Sequence, residues 1–279
     1  MAGEEPTYPA QSSALAARYG EDAVPAAGPW NDTIALLLSH RSIRGYSSKP
    51  VPASTLETLV AAAQSAATSS NLQTWSVVAV TDPAVKAELS EIALDQRNIC
   101  ECPLFLVWIA DLSRNNRLAA EEGTTLEGND YLEMLLMGVA DASLAAQNAT
   151  VAAESLGLST CYIGNLRNDV ARVAELLQLP PGAMGVFGMC VGYPKAGVAN
   201  EVKPRLPQEL VLHHERYTIG NERDVRAAYD ARVGAFSRKN DMKLQTWTDR
   251  VLLRLEKVAA LRDRANLNAV LRKLGFPLK

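Results

Sequence analysis

The chain has 279 residues, of which 48% are hydrophobic and 21% charged, so it can bury a sizeable core and its composition excludes wholesale disorder. Its length fits one large domain or two small ones. The formal net charge of -3 at pH 7 argues against a general nucleic-acid binder, which needs a basic surplus to release counterions.

Residues 1–29 are rich in alanine, proline, glycine and acidic residues, a composition that seldom forms a core. We predict a flexible N-terminal extension here, with at most one short helix around residues 13–19. A single domain is predicted to follow, from residue 30 to residue 279.

Two capped helices are predicted to open this domain. Asn31 or Asp32 can cap a helix that runs to Leu38. Ser54 and Glu57 have the spacing of a capping box, which predicts a second helix. Strands and helices then alternate, with predicted strands at 75–81, 103–110, 160–163 and 186–191 and predicted helices at 83–92, 130–156 and 169–179. This alternation indicates a sheet layered by helices, in an α/β or α+β fold.

The predicted helix 130–156 is unusually rich in small residues, which let helix backbones approach one another closely. Because it is apolar almost all round, it belongs in a central position or at a dimer interface. Residues 114–128 before it form a polar, acidic excursion. From residue 224 onward the chain reads as helical and charged, and we predict that it wraps over the domain or over a partner subunit.

Cysteine usage and hydropathy bound the cellular setting. The four cysteines show neither a disulfide framework nor zinc-site spacing, so we predict reduced thiols and no metal. The first residues lack the basic start and apolar core of a secretory signal. The longest apolar stretch, 132–158, is interrupted by charged and amide side chains, which indicates a buried helix. We therefore predict a cytoplasmic protein with no membrane partner.

Two cation clusters are the most informative feature of the sequence. In the run His-Arg-Ser-Ile-Arg at 40–44, strand-like alternation places the first, third and fifth side chains on one face. Lys203 and Arg205 share a face across a proline that keeps the backbone extended. Together these faces could hold a phosphate, although two solvated basic patches are the simpler interpretation. The chain has neither a Gly-x-Gly-x-x-Gly motif nor a P-loop, so a phosphate would have to be held by side chains and loops.

The residues of these clusters resemble the nitroreductase family of FMN enzymes, and in particular its NADPH-using, oxygen-insensitive members. The resemblance runs from about Asn31 to the C-terminus. Its motifs are His-Arg-Ser-Ile-Arg at 40–44, Ala-Thr-Ser-Ser-x-Leu-Gln at 67–73, Gln96, Ala-Ala-Glu-Ser-Leu-Gly-Leu at 152–158, Tyr-Ile-Gly-x-Leu-Arg-Asn at 162–168, Lys-Pro-Arg-Leu-Pro at 203–207 and Thr-Trp at 246–247. Each motif is weak alone, and their shared order carries the resemblance.

The resemblance implies an α+β fold of three layers, with a central mixed sheet flanked by helices. It also implies an intertwined homodimer whose C-terminal helices wrap the partner subunit. Two FMN molecules would lie at the subunit interface, each contacted by both chains. The small-residue helix and the charged C-terminal segment fit such a dimer on their own.

For the FMN phosphate, the resemblance implies a set of cations and hydroxyls. The implied phosphate ligands are His40, Arg41, Ser42, Lys203 and Arg205, of which Arg41 is the one that alternation turns away. The hydroxyl-bearing residues implied to reach the phosphate and the ring edge from the other subunit are Thr68, Ser69 and Ser70.

For the flavin ring, the resemblance implies contacts of a different kind. The implied ring contacts are Arg44, Gln96, Tyr162, Ile163, Gly164 and Asn165. Arg44 would lie by the pyrimidine edge, where a fixed cation favours the negative charge that reduction creates. The backbone N–H groups of Gly164 and Asn165 would point at N5 and O4 of the ring. No side chain is implied to shuttle protons.

The implied electron donor is NADPH, with NADH as an alternative. Its adenosine phosphate would lie on a basic loop that precedes the Thr-Trp pair and carries Arg238, Lys239 and Lys243. Asn71 stands where relatives often carry an aromatic residue, and it is implied to line the substrate pocket. The implied activity is two-electron, ping-pong reduction of nitroaromatics, quinones or similar small-molecule acceptors.

Several alternatives stay open at this point. On the same fold, the chain could be a flavin reductase, a metal-ion reductase of the chromate type or a dehalogenase-type enzyme. It could also store or sense FMN without turnover, or be an FMN-free dimer in which both cation clusters are decorative.

Overall fold

A computed structural model of the protein describes residues 8–198, 201–243 and 245–279. The chain divides into two compact units. One unit comprises residues 1–41 and 200–261, and the other comprises residues 42–199 and 262–279. The helices, in chain order, are α1 (Gln11–Tyr19), α2 (Asp32–Ser39), α3 (Thr55–Gln64), α4 (Pro83–Ile92), α5 (Arg97–Glu101), α6 (Ser113–Glu121), α7 (Leu132–Ser155), α8 (Val170–Leu176), α9 (Glu222–Lys239), α10 (Trp247–Leu255) and α11 (Leu267–Lys273).

The larger unit is built on a four-stranded sheet. The strands are β1 (Trp75–Val80), β2 (Leu104–Asp111), β3 (Ser159–Ile163) and β4 (Ala183–Gly192), in the spatial order β1-β2-β4-β3. All three pairings are antiparallel, so the mixed sheet that the resemblance implied is not formed by the described residues of this chain. Every residue of β2 is buried, as its two apolar faces predict.

Helices cover both faces of the sheet. On one face, Leu59 of α3 and the alanines of α7 pack against alternate side chains of β2 and β4. On the other face, apolar residues of α4, α5 and α8 pack against the intervening side chains. The three-layer α+β architecture expected from the resemblance is therefore confirmed.

The small residues of α7 explain how closely this helix packs on the sheet. Ala145, Ala146 and Ala149 are completely buried. A Cβ at Gly138 would lie only 3.2 Å from the Cβ of Ala110 in β2, so even one added methyl group would strain this contact. The predicted helix 130–156 is confirmed, and its composition follows from its close approach to the sheet.

The starts of α2 and α4 follow the sequence signals. Asn31 accepts a hydrogen bond from the Ile34 N–H at 3.0 Å and caps α2, and Asp82 caps α4. The helix predicted after Ser54 is present, but its predicted capping box is wrong. Ser54 has φ 62° and its side chain makes no capping hydrogen bond, because this left-handed conformation turns the hydroxyl away from the first turn.

Two further segments of the sequence contain short helices. The polar excursion 114–128 contains a helix, α6, whose N-terminal residue Ser113 contacts Asp111 through both its N–H and its hydroxyl. In the N-terminal extension the short predicted helix is present as α1, and its Ala14 is buried.

The smaller unit contains α1, α2, α9 and α10. The Tyr229 hydroxyl on α9 donates to the Pro204 carbonyl at 3.1 Å, and Arg232 on the same helix holds both carboxylate oxygens of Asp22 at 2.9 and 3.0 Å. These contacts fix the residues just after α1, and the segment around Pro204, to α9. Across the described ranges of the chain, none of the helices has the length and apolar character that a bilayer crossing requires.

Candidate functional site

His40 and Arg41 of the first cation cluster belong to the smaller unit, as do Lys203 and Arg205, and a buried arginine contacts the backbone of this set. The Arg18 guanidinium donates to the Lys203 carbonyl at 2.9 Å, and it also donates to the Leu38 carbonyl at 2.5 Å and the His40 carbonyl at 3.0 Å. The Arg205 N–H donates to the Arg18 carbonyl at 2.9 Å. Predicted phosphate ligands from distant parts of the sequence are thus brought to one residue.

The side chains of this cluster differ in exposure. His40 and Lys203 are half-buried, whereas Arg41 and Arg205 are exposed. A cavity of about 440 Å³ opens beside Lys203 and Arg205. It is lined on its other sides by aromatic residues and by one more cation, namely Tyr19, Tyr229, Trp247 and Arg250. This part of the smaller unit therefore combines several positive charges with aromatic surface.

Ser42 and Arg44 lie in the larger unit, on either side of a buried anchor. Ile43 is 4% exposed, and its N–H donates to the Thr160 carbonyl of β3 at 3.1 Å. Burial raises the pKa of the Cys161 thiol on β3, and the nearby Arg44 guanidinium opposes this rise. Arg44 itself is exposed. The structure thus places the Arg44 charge beside β3, the strand that leads into Gly164.

Two predicted ring contacts converge on a single carbonyl group. The Gln96 side-chain amide donates to the Ala93 carbonyl at 3.2 Å, and the Asn165 side-chain amide donates to the same carbonyl at 3.2 Å. Leu94 and Asp95 both have positive φ, 68° and 56°, and this tight reversal brings Gln96 back towards Ala93. The loop before α5 and the turn after β3 are therefore held together.

The turn after β3 is a short 3-10 helix, Gly164–Asn168. The first N–H groups of such a helix have no acceptor within it, so those of Gly164 and Asn165 are suited to an external acceptor. A Cβ at Gly164 would lie 3.3 Å from the Arg167 guanidinium, so this glycine makes room for Arg167.

An arginine from the C-terminal segment fixes the same turn. Arg264 donates to the side-chain oxygen of Asn165 at 2.6 Å and to that of Asn168 at 2.8 Å. The Asn165 side chain is thus held from both ends, by Arg264 and by the Ala93 carbonyl. Sequence reasoning missed Arg264 because nothing in its local sequence indicates a partner about a hundred residues earlier.

The side chains of Tyr162 and Ile163 point into the two cores. The Thr150 hydroxyl donates to the Tyr162 hydroxyl at 3.0 Å, and the Tyr162 ring packs edge-on against Phe187 at 5.1 Å. Burial raises the pKa of Tyr162 to about 12, so the phenol stays protonated at neutral pH. Ile163 is 1% exposed. The Ile163 side chain is therefore closed to a ligand, whereas Tyr162 is half-buried.

The predicted hydroxyl loop is organised by a buried carboxylate, Asp141 on α7. Asp141 is 2% exposed and accepts a hydrogen bond from the Thr68 hydroxyl at 2.6 Å. It also accepts from the Ser69 N–H at 3.1 Å and from the N–H and hydroxyl of Thr74, both at 3.0 Å. The Thr68 hydroxyl in turn accepts from the Gln73 N–H at 3.0 Å. Thr68 therefore shapes the loop, while Ser69, Ser70 and Asn71 are exposed.

The electrostatics of Asp141 match this role. Burial alone would raise the pKa of its carboxyl group, but the hydrogen bonds from Thr68, Ser69 and Thr74 outweigh burial and lower it. Ser70 and Asn71 have positive φ, 47° and 56°, a conformation that needs such an anchor. In the sequence Asp141 only interrupts an apolar helix, and that interruption was the available signal.

The three predicted NADPH contacts are not equivalent. Arg238 and Lys239 lie in the last turn of α9, and Lys243 lies in the turn beyond it. All three side chains are exposed, but the Lys239 amine lies 2.5 Å from a carboxylate oxygen of Glu201. Arg238 and Lys243 are therefore better suited than Lys239 to an added phosphate.

The chain matches two family models that together cover most of its length. The model described as the nitroreductase family matches residues 37–193, and the model described as the C-terminal domain of that family matches residues 203–279. Residues 1–36, which include Arg18, lie outside both matches.

Characterised relatives agree with these matches. FMN reductase (NADPH) of Bacillus subtilis is 38% identical over 88% of this chain and 98% of its own length. NADPH-flavin oxidoreductase of Vibrio harveyi is 39% identical over 79% and 90%, and the oxygen-insensitive NADPH nitroreductase of Salmonella typhimurium is 37% identical over 78% and 89%.

Solved structures show the same fold. A nitroreductase from B. subtilis superposes with a TM-score of 0.81 at 38% identity, over 88% of this chain and 99% of the other. The NADPH:FMN oxidoreductase of V. harveyi, solved in complex with NAD+, superposes with a TM-score of 0.79 at 34% identity, over 89% and 100%. The resemblance read from the sequence is confirmed, and the chain belongs to the nitroreductase family.

Proposed function

We propose that this protein is an NADPH-dependent FMN oxidoreductase that reduces nitroaromatics, quinones or similar small acceptors. Membership of the nitroreductase family, and relatives named as NADPH-dependent FMN reductase and nitroreductase, support an oxidoreductase with FMN and NADPH. The structural observation that carries the proposal is the convergence of Gln96 and Asn165 on the Ala93 carbonyl. It assembles two motifs of the resemblance into one place.

The residues present fit both ends of FMN. A phosphate is bound best by several cationic and hydrogen-bond-donating side chains. His40, Lys203 and Arg205 carry side chains of this kind, and Arg18 contacts the backbone of all three. A flavin ring needs a donor at its reducible edge, and the 3-10 turn that starts at Gly164 provides backbone N–H groups.

We assign the roles of the residues accordingly. His40, Ser42, Lys203 and Arg205 bind the phosphate, with the exposed Arg41 close by in sequence. Arg44, Gln96, Gly164 and Asn165 bind and orient the ring, and the Arg44 charge stabilises negative charge on its pyrimidine edge. The exposed serines and Asn71 of the loop held by Asp141 contact cofactor and acceptor from a second copy of the chain.

When bound, FMN supplies the redox chemistry, accepting a hydride from NADPH in one half-reaction and reducing the acceptor in the next. The protein has to bind and orient the cofactor and stabilise the negative charge of its reduced ring. It also has to leave one binding site that the electron donor and the acceptor occupy in turn. Initial-rate measurements with NADPH and a quinone varied together test this assignment. Parallel reciprocal plots support the ping-pong order, and intersecting plots contradict it.

The homodimer is part of the proposal, because α7 carries an apolar stripe. Leu132, Leu136 and Leu144 are 49%, 57% and 48% exposed, and their spacing in multiples of four places them on one helical face. Analytical ultracentrifugation of the protein and of a Leu136→Glu, Leu144→Glu variant tests the assignment. We expect a dimer that the double variant weakens, and a monomeric parent protein would contradict it.

The first experiment is an absorbance spectrum of the purified protein, followed by anaerobic addition of NADPH and, separately, NADH. Flavin bands that bleach faster with NADPH support the proposed cofactor, donor and enzyme class together. Bands that neither donor bleaches indicate flavin storage or sensing. A colourless protein that takes up no added FMN overturns the proposal. The cytoplasmic location stays a prediction from the sequence.

A further inference from the structure

We propose that Arg18 is a positioning residue for the phosphate group of the flavin cofactor, so that helix α1 is a working part of the cofactor site. The inference rests on the proposed function, because it takes FMN as the ligand of the cation cluster. It assigns to the N-terminal segment a role that the matched family models do not include, since those models begin at residue 37.

Arg18 contacts the main chain of three proposed phosphate ligands at once. Its guanidinium donates to the carbonyls of Lys203 and His40, and its own carbonyl accepts from the Arg205 N–H at 2.9 Å. Because these contacts are with backbone atoms, they determine where the ligand-bearing segments lie. The segments that Arg18 joins are 185 and 22 residues away along the chain, so no local structure can hold them together.

The chemistry of arginine suits this position. The Leu38 and His40 carbonyls lie at the C-terminal end of α2, where carbonyls lack partners within the helix and a cation is favoured. The guanidinium is planar, presents five donors in a fixed fork and stays charged at every working pH. Lysine would supply the charge without the fork that spans several carbonyls.

The burial of Arg18 shows that its hydrogen bonds to the backbone are part of the folded structure. The residue is 6% exposed, although it lies in a helix of only nine residues within a segment whose composition predicts flexibility. The same segment is held a second time by the Asp22–Arg232 ion pair at 2.9 Å. In that pair the Arg232 guanidinium donates to both carboxylate oxygens of Asp22, so a change at Asp22 offers a matched control in the same segment.

The test compares the affinities for FMN and riboflavin, which differ only in the phosphate. Cofactor-free full-length protein is titrated with each flavin, and binding is followed by flavin fluorescence. Three variants are compared with the parent protein: Arg18→Met, which removes the fork and the charge; Arg18→Lys, which keeps the charge; and Asp22→Asn, which breaks only the second attachment. Thermal unfolding is recorded for each variant.

We expect Arg18→Met to weaken FMN binding about tenfold and riboflavin binding less than about twofold, so that discrimination between the flavins falls. Arg18→Lys should stay close to Arg18→Met, because the fork is lost in both. Asp22→Asn should keep the discrimination of the parent protein. If Arg18→Met fails to fold, the ratio of FMN to riboflavin affinity is measured for Arg18→Lys, and a fall in this ratio supports the inference in the same way.

Two results would overturn the inference while leaving the proposed function in place. One is that the parent protein prefers FMN and Arg18→Met keeps this preference. The other is that both flavins weaken by the same factor, as expected from a general loss of structure. A parent protein that binds FMN no better than riboflavin, or binds neither, overturns the proposed phosphate site and the inference with it.

Discussion

The backbone near two parts of the proposed site is held by buried charges of opposite sign. In the smaller unit, the Arg18 guanidinium gathers carbonyl oxygens at 2.5 to 3.0 Å. In the larger unit, the Asp141 carboxylate gathers N–H and hydroxyl groups at 2.6 to 3.1 Å. The comparison shows that the polar groups a segment leaves without local partners determine whether a buried cation or a buried anion stabilises it. Unpaired carbonyls at the end of a helix favour a cation, and unpaired N–H groups in a tight loop favour an anion.

The strongest test of this comparison removes the anion. Asp141→Asn should lower the free energy of unfolding by about 3 kcal/mol, because an amide cannot accept all four hydrogen bonds. It should also lower turnover with NADPH and a quinone, since the hydroxyl loop loses its conformation. Urea unfolding and steady-state kinetics measure the two effects.

The matched control for Asp141 is Asp111, the other buried carboxylate with several hydrogen bonds. Asp111 accepts from the Ser76 hydroxyl at 2.6 Å and from the Ser113 N–H at 3.0 Å, and neither partner is one of the proposed site residues. Asp111→Asn should destabilise the protein without lowering the turnover of the folded fraction. Equal loss of turnover in both variants would show that the Asp141 effect is general instability.

Among the cations, the exposed Arg205, whose N–H donates to the Arg18 carbonyl, should contribute strongly to FMN binding. Arg205→Ala should weaken FMN binding by roughly 10- to 150-fold, which corresponds to the loss of one charge-assisted hydrogen bond of about 1.5 to 3 kcal/mol. Arg223→Ala, an exposed cation on α9 outside the proposed site, is the control and should leave FMN affinity unchanged. Stoichiometric flavin retained by Arg205→Ala would move the phosphate elsewhere.

Acid should separate the two anchors, because only one of them titrates. The folded-state pKa of Asp141 is lowered, so its contribution to stability is complete above the unfolded-state value of about 4 and is lost as the pH falls through the folded-state value. Arg18 keeps its charge throughout. Between pH 6 and pH 2.5, the parent protein should therefore lose up to about 2 kcal/mol more stability than Asp141→Asn. Identical losses in urea titrations would contradict the assignment.

The smallest expected effect concerns Arg238 and Lys243, the exposed cations at and just beyond the end of α9. Replacing Arg238 and Lys243 together by alanine should raise the KM for NADPH about fivefold more than that for NADH, roughly 1 kcal/mol. Lys239→Ala should change this ratio less, because Glu201 already pairs with Lys239. A ratio unchanged in the double variant would place the 2′-phosphate at another site.

The parts of the fold that depend on local signals could be predicted from the sequence. The apolar run at 104–111 and the small residues of α7 indicate their elements directly, and Asn31 marks the start of α2. Ser54 misled because the capping-box spacing says nothing about its φ of 62°. The helix at Ser113–Glu121 was missed because its mostly polar sequence lacks a core-facing stripe.

The candidate site also has one part that the sequence indicated and one part that it did not. The motifs that carry the resemblance named candidate cofactor ligands, but the residues that hold those motifs in place were not recognised. Arg18, Asp141 and Arg264 each act on partners far away in sequence, and each stands in a local context that indicates something else. Supporting contacts of this kind depend on tertiary structure, which a single sequence does not display.

The burial of Arg18 also bears on where the working protein begins. A boundary drawn at residue 37, where the family match starts, retains only the last turn of α2 and all the motifs of the resemblance. It also deletes the guanidinium that meets the carbonyls of Leu38, His40 and Lys203. For this chain, the family match therefore starts after the helix that carries Arg18. Helix α1, with its buried Arg18, is thus part of the folded smaller unit.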